Sequence, residues 1–123
     1  MCGTSCGAVS DRDLKERVAP ADPAEVLDRL ASVPISTWSY QVDPTVRHLG
    51  PMAQDFHAAF GLGASDRRID FVDANGVTMA AIQALRREVG ALREDTAALR
   101  RQNAGLQREV DALRGGTDQC VAP

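Results

Sequence analysis

Aromatic side chains are scarce. Phe, Trp and Tyr make up only 4% of the 123 residues, so any core has to be aliphatic and small. No apolar run approaches the roughly 20 residues that a membrane-spanning helix needs, so no membrane partner is expected. A basic excess is missing as well. The net charge is -3 and the pI about 5.3, which argues against the basic face of a nucleic-acid binder. The N-terminal MCGTSCGAVS has neither a basic stretch nor an apolar one and does not read as a secretory signal. Cysteine is sparse and peripheral. Cys2, Cys6 and Cys120 all lie in Gly-rich or polar ends, which fits reduced thiols rather than a disulfide framework. Cys2 and Cys6, even with His48 and His57, make one loose pair. Structural zinc wants four ligands at defined spacing, so neither a metal nor a cofactor is expected.

What is present suits one domain. Hydrophobic residues reach 44% and charged residues 25%, both near the globular average. Residues 1–9 are small and aperiodic and read as disordered. In DPAEVLDRLASVP, Asp22 is placed to N-cap a helix, Pro23 to begin it and Glu25 to close a capping box. Val26, Leu27, Leu30 and Val33 share its apolar face, and Pro34 stops it. ISTWSYQV alternates, with Trp38, Tyr40 and Val42 on one side, and predicts a half-buried strand. DPTVRH reads as a turn. GPMAQDFHAAFG predicts a short helix begun by Pro51, with Met52, Phe56, Ala59 and Phe60 on one face and Gly61 at its end. GLGASDRR reads as loop, IDFV as at most one strand, and DANG as a turn on the strength of Asn75-Gly76.

From about Val77 the spacing changes. Ile82, Leu85, Val89, Leu92, Thr96, Leu99, Asn103, Leu106, Val110 and Leu113 recur at alternating gaps of three and four. This is a heptad seam, with leucine at d and Ile82, Val89, Thr96, Asn103 and Val110 at a. A core helix of period 3.6 would drift off such a seam. Glu88 stands at g against Arg93 at e, Asp95 against Arg100, and Glu109 against Arg114; Gln102 faces Gln107. These are the contacts of parallel, in-register strands, so a homo-oligomer is expected. GGTDQCVAP is expected to end the helix and fray.

SDRDLK, residues 10–15, puts a serine five positions before a lysine. On a helix such residues point about 140° apart, and on a strand to opposite faces. Ser10 and Lys15 therefore meet only if the chain turns between them. Ser10 and Asp13 also have capping-box spacing, so Ser10 reads equally as a helix N-cap. The two roles are compatible, because a helix entrance is the positive end of the dipole.

SDRDLK, then RHLGPMAQDF with its H-x-G-x-x-A-Q pattern (His48, Gly50, Ala53, Gln54), then VDANGVTMAAIQAL running into heptads, resembles the C-terminal intramolecular chaperone of endosialidase-type tailspikes and phage tail fibres. The resemblance covers roughly residues 10–114 in order and spacing. It implies a module of which three copies hold three upstream fibre chains in register and then cut themselves off. It implies Ser10 as nucleophile and Lys15 as general base, with the cut beside the serine, at Ser10–Asp11. His48, Gly50 and Gln54 are expected to be structural: hydrogen-bonders at a subunit contact and a tight turn. His57 has no matched role and is expected in solvent. The family often has asparagine two residues after the motif lysine, where this chain has Arg17.

The expected architecture is α+β. A small globular part of short helices and strands over 10–76 leads into a coiled-coil helix over 77–114 and a disordered tail over 115–123. β-branched residues at a, leucine at d and a buried asparagine (Asn103) favour a parallel dimer; the resemblance implies a trimer, and a trimer is expected. The client is an upstream fibre chain, and the location cytoplasmic or virion-associated. Only nine residues precede Ser10. The alternative is therefore a prophage remnant acting as an inert coiled-coil oligomerisation module, with no cleavage.

Overall fold

A computed structural model describes residues 7–119. The three cysteines fall outside the described residues, as do residues 1–6 and 120–123 of the two ends expected to be disordered. A 3₁₀ turn over Arg12–Leu14 is followed by α1 (Pro23–Ser32), β1 (Ser36–Tyr40), β2 (Asp43–Gly50), α2 (Ala53–Phe60) and α3 (Phe71–Gln119). The fold is α+β, as expected. The chain divides into two units, Met1–Leu85 and Arg86–Pro123, and α3 contributes to both.

α1 starts where its punctuation predicts. The Asp22 carboxylate accepts from the Ala24 and Glu25 amides, and Pro23 occupies the first turn. The capping box is half made: the Glu25 carboxylate is taken by Arg29 instead. Arg29 also donates to the Ala59 carbonyl at 3.1 Å, tying α1 to α2. Val33, at the C-terminal boundary of α1, is buried.

DPTVRH is not a turn but most of β2. The turn is the pair Gln41-Val42, and Trp38 stands opposite His48 across the hairpin, with a register shift between Trp38 and Tyr40. The turn signal at Asp43-Pro44 acts only locally. The Asp43 carboxylate accepts from the Thr45 amide at 3.3 Å and the Thr45 hydroxyl at 2.7 Å, starting the strand. Pro44 is tolerated so close to its beginning. Arg47 donates to the Thr37 hydroxyl at 2.8 Å, so one strand braces the other.

α2 begins at Ala53, with Met52 still extended, rather than at Pro51. It buries Phe56, whose ring centroid lies 5.0 Å from that of Phe60. Gly61 ends it at φ 63, donating to the His57 carbonyl at 2.8 Å. A left-handed residue at this point is the reason for glycine.

α3 takes in all or part of three segments that the sequence suggests differently. IDFV forms no strand, DANG forms no turn, and Gly115-Gly116 do not end the helix. The Asp70 carbonyl accepts the first helical bond from Ala74. Asn-Gly makes a hairpin only between strands that pair, and none flanks it here. Instead Val77, Ala81 and Ala84, at helical spacing, bury one face of α3. That burial outweighs the cost of about 1 kcal/mol for a mid-helix glycine.

With Val33 and Phe56, those three residues are the whole buried hydrophobic set among the described residues. The heptad seam lies on a different face. In the first unit Ile82 and Leu85 are exposed, and in the second so are Val89, Leu92, Leu99, Leu106, Val110 and Leu113. The Thr96 hydroxyl is returned to the Leu92 carbonyl at 2.7 Å, so this layer offers no free hydroxyl. No described helix is long and apolar enough to cross a membrane.

Candidate functional site

Ser10 and Lys15 meet. Lys15 Nζ lies 2.6 Å from Ser10 Oγ, and the chain reverses between them through the 3₁₀ turn. Three residues per turn bring Leu14 N to the Asp11 carbonyl at 3.3 Å and Lys15 N to the Arg12 carbonyl at 3.1 Å. Ser10 does not cap this turn. Asp11 does, its carboxylate accepting from the Asp13 amide at 3.0 Å, which leaves the Ser10 hydroxyl to the lysine.

The surroundings of the pair are open. Every residue from Gly7 to Asp22 is exposed. A lysine works as a general base only when neutral, and burial or neighbouring positive charge brings that about. The single chain supplies the contact but not the burial. The pair carries a sequence signal beyond its spacing: Lys15 is the one lysine among 14 Lys and Arg residues. Arginine cannot be deprotonated in a protein, so of the lysine and arginine side chains the only one able to serve as a base is the one that touches a serine.

The segment leaves this turn through Arg17 at φ 54. Left-handed backbone is unfavourable for arginine and better tolerated by asparagine. This gives a physical reason for asparagine two residues after the motif lysine.

The other motif residues lie on the hairpin and α2, away from any such pair. His48 stacks on Trp38 with ring centroids 4.8 Å apart, and Tyr40 meets both rings edge-on. Gly50 pairs with Ser36 at the end of β2, and Gln54 is exposed in the first turn of α2. Trp38 Nε1 is buried with no acceptor among the described residues. His57 departs from expectation: it is half-buried, and its Nδ1 lies 3.0 Å from the Leu62 carbonyl, fixing the loop after α2. Among the described residues no cluster of three or more His, Cys, Asp or Glu could hold a metal.

A cleft of about 780 Å³ opens beside the hairpin. Tyr40, Leu49, Pro51, Met52 and Phe71 give it apolar walls, and Gln54, Arg67, Arg68 and Asp70 also line it. The sequence carries no signal for it: Phe71 lies in a segment that reads as a strand, and Arg67-Arg68 in one that reads as loop.

Residues 10–61 match the family described as chaperone of endosialidase. The chaperone of endosialidase match begins at Ser10 itself, takes in the turn, α1, the hairpin and α2, and stops at Gly61, short of α3. It is the family that the motifs resemble. No curated protein matches the chain.

Proposed function

We propose that this chain is a self-releasing intramolecular chaperone of a phage-type tail fibre or tailspike. Three copies associate along the α3 seam and hold three upstream fibre chains in register. They then part from them by cleavage beside Ser10. The Ser10–Lys15 contact of 2.6 Å, within a span that matches the chaperone of endosialidase family, carries the reading. Lys15 takes the Ser10 proton, and the oxygen adds to a peptide carbonyl. The resulting ammonium protonates the leaving amine, and water hydrolyses the ester. Because both groups are exposed in the single chain, apolar cover for the lysine has to come from assembly. Cleavage therefore waits until the chains are aligned.

Exposed apolar residues support association. Leu92, Leu99 and Leu113 are 63%, 58% and 74% exposed along the seam, and no side chain larger than Phe56 is buried in the globular part. The seam taken alone favours a dimer. We assign a trimer because the resemblance to the endosialidase-type chaperones implies one, and so small a core leaves the globular part, rather than the seam, to decide the symmetry through surface buried between copies.

Intact mass and light scattering test this together. Wild-type protein should lose its first nine or ten residues and scatter as three times the 13.2 kDa chain, less the released peptides. Ser10→Ala and Lys15→Ala should stay whole, and Lys15→Arg should not restore cleavage. Full-length wild-type chain after prolonged incubation as an assembled oligomer refutes self-cleavage. A dimer mass refutes the trimer.

A further inference from the structure

We infer that the seam joining copies begins at Phe71, eleven residues before Ile82, and that Asn75 within it meets the same residue of neighbouring copies and fixes their register. Resting on the assembly reading above, this adds where the contact starts and what aligns it. Counting back from Ile82 at a, the heptad places Thr78 at d, Asn75 at a and Phe71 at d. Residues 69–76 read as strand and turn in the sequence, which hides these layers. α3 makes them helical from Phe71 onward. Their exposure keeps the same phase. In the first unit Phe71, Ile82 and Leu85 are 86%, 59% and 47% exposed, and Asn75 and Thr78 are exposed too. The buried residues Val77, Ala81 and Ala84 fall only at c and g. One face of the helix therefore serves the chain's own core, and the a and d face is left for a partner.

A like chain is the partner that the charges and polar groups fit. From Glu88 to Arg93 and from Asp95 to Arg100, g faces e with opposite sign, the relation made between parallel copies in register. Within the added layers the Thr78 hydroxyl is returned to the Ala74 carbonyl at 2.8 Å. The Asn75 side-chain amide has no partner among the described residues, and an asparagine in the same layer supplies both a donor and an acceptor for it. Asn75 and Asn103 both stand at a, four heptads apart. In register, each meets its own kind. A slip of one heptad sets Asn75 against Ile82 and Asn103 against Val110, and an amide buried beside aliphatic side chains loses its hydrogen bonds to water without replacing them. A slip of four heptads restores one asparagine layer but leaves the first four heptads without a partner. The two polar layers thus lower stability and single out one alignment, which is what upstream chains held in register require.

Photocrosslinking at the first layer tests this without relying on cleavage. Phe71 is replaced by p-benzoylphenylalanine in full-length chain carrying Ser10→Ala. The product is mixed during refolding with isotopically labelled chain that carries Ser10→Ala alone. After irradiation, mass spectrometry should find residue 71 of the unlabelled chain joined to labelled residues 67–74. Asn75→Ile with Asn103→Ile in both chains should raise several-fold the share of crosslinks to labelled residues 75–82, one heptad along. No crosslink between chains, or crosslinks to any other labelled segment in the chains that keep both asparagines, overturn the early start of the seam. A pattern that the two isoleucines leave unchanged overturns the register role of the asparagines. Light scattering on the same samples separates the failures: a monomer removes the assembly reading too, whereas an oligomer without this contact removes the added layers alone.

Discussion

Replacing Arg17 by asparagine relieves the one strained non-glycine residue among the described residues. At φ 54 an ordinary side chain costs about 1–2 kcal/mol, and asparagine recovers part of this through local hydrogen bonding. Little is lost in exchange. The Arg17 side chain is 90% exposed, and its partner is the Glu16 carboxylate at 3.6 Å; pairs of this kind contribute about 0–1 kcal/mol. The net gain is about 0.5–1 kcal/mol for the turn that closes Lys15 onto Ser10. At about 1.4 kcal/mol per tenfold, the equilibrium constant for closing the turn rises about two- to fivefold. The cleavage rate of the assembled protein, followed by intact mass, should rise by up to that factor. Arg17→Ala keeps the backbone penalty and loses the ion pair, so it should be no faster than wild type. The Lys15 amide, bonded to the Arg12 carbonyl, gives a readout that needs no cleavage: its hydrogen exchange should slow by the same factor in the asparagine variant alone. Equal rates and equal exchange in all three proteins would refute the claim that strain at residue 17 opposes closure.

Asn103→Ile exchanges a polar seam layer for an apolar one and should stabilise the assembly by about 1–2 kcal/mol per chain. A thermal midpoint that does not rise would mean that residue 103 faces no partner chain. Phe56→Ala should destabilise the globular unit by about 3–5 kcal/mol, since Phe56 is 5% exposed and packs on Phe60. Denaturant unfolding followed by Trp38 fluorescence measures this, and a loss below about 1 kcal/mol would show that the core lies elsewhere.

The elements that the sequence predicts best are those with local causes. Asp22 and Pro23 start α1 through hydrogen bonds made within one turn, and Gly61 ends α2 by its own backbone angle. The misread segments depend on distant partners. β2 is a strand because β1 pairs with it, and Asp43-Pro44 displays only its turn chemistry in isolation. Asn75-Gly76 is helical because Val77, Ala81 and Ala84 are buried, which no window of four residues contains. The Ser10–Lys15 pair falls between these cases. Spacing showed that a turn was needed, and the candidate helix cap was placed on Ser10. The structure gives the cap to Asp11, and this one-residue difference frees the serine hydroxyl for the lysine.

A small core and an exposed dyad are two sides of one arrangement. A chain with 4% aromatic residues and five buried hydrophobic side chains among the described residues leaves much apolar surface for other copies to cover. A lysine must lose its proton before it can take one from serine, and apolar cover is what drives that loss. On the proposed function, a chain that buried Lys15 in its own fold would have a competent pair as soon as it folded, and would release its client before the partner chains arrived. The pair is exposed in the single chain, which on that proposal defers its competence. On the proposed function, assembly itself supplies the cover that makes the base, so no separate signal is needed to order assembly before cleavage.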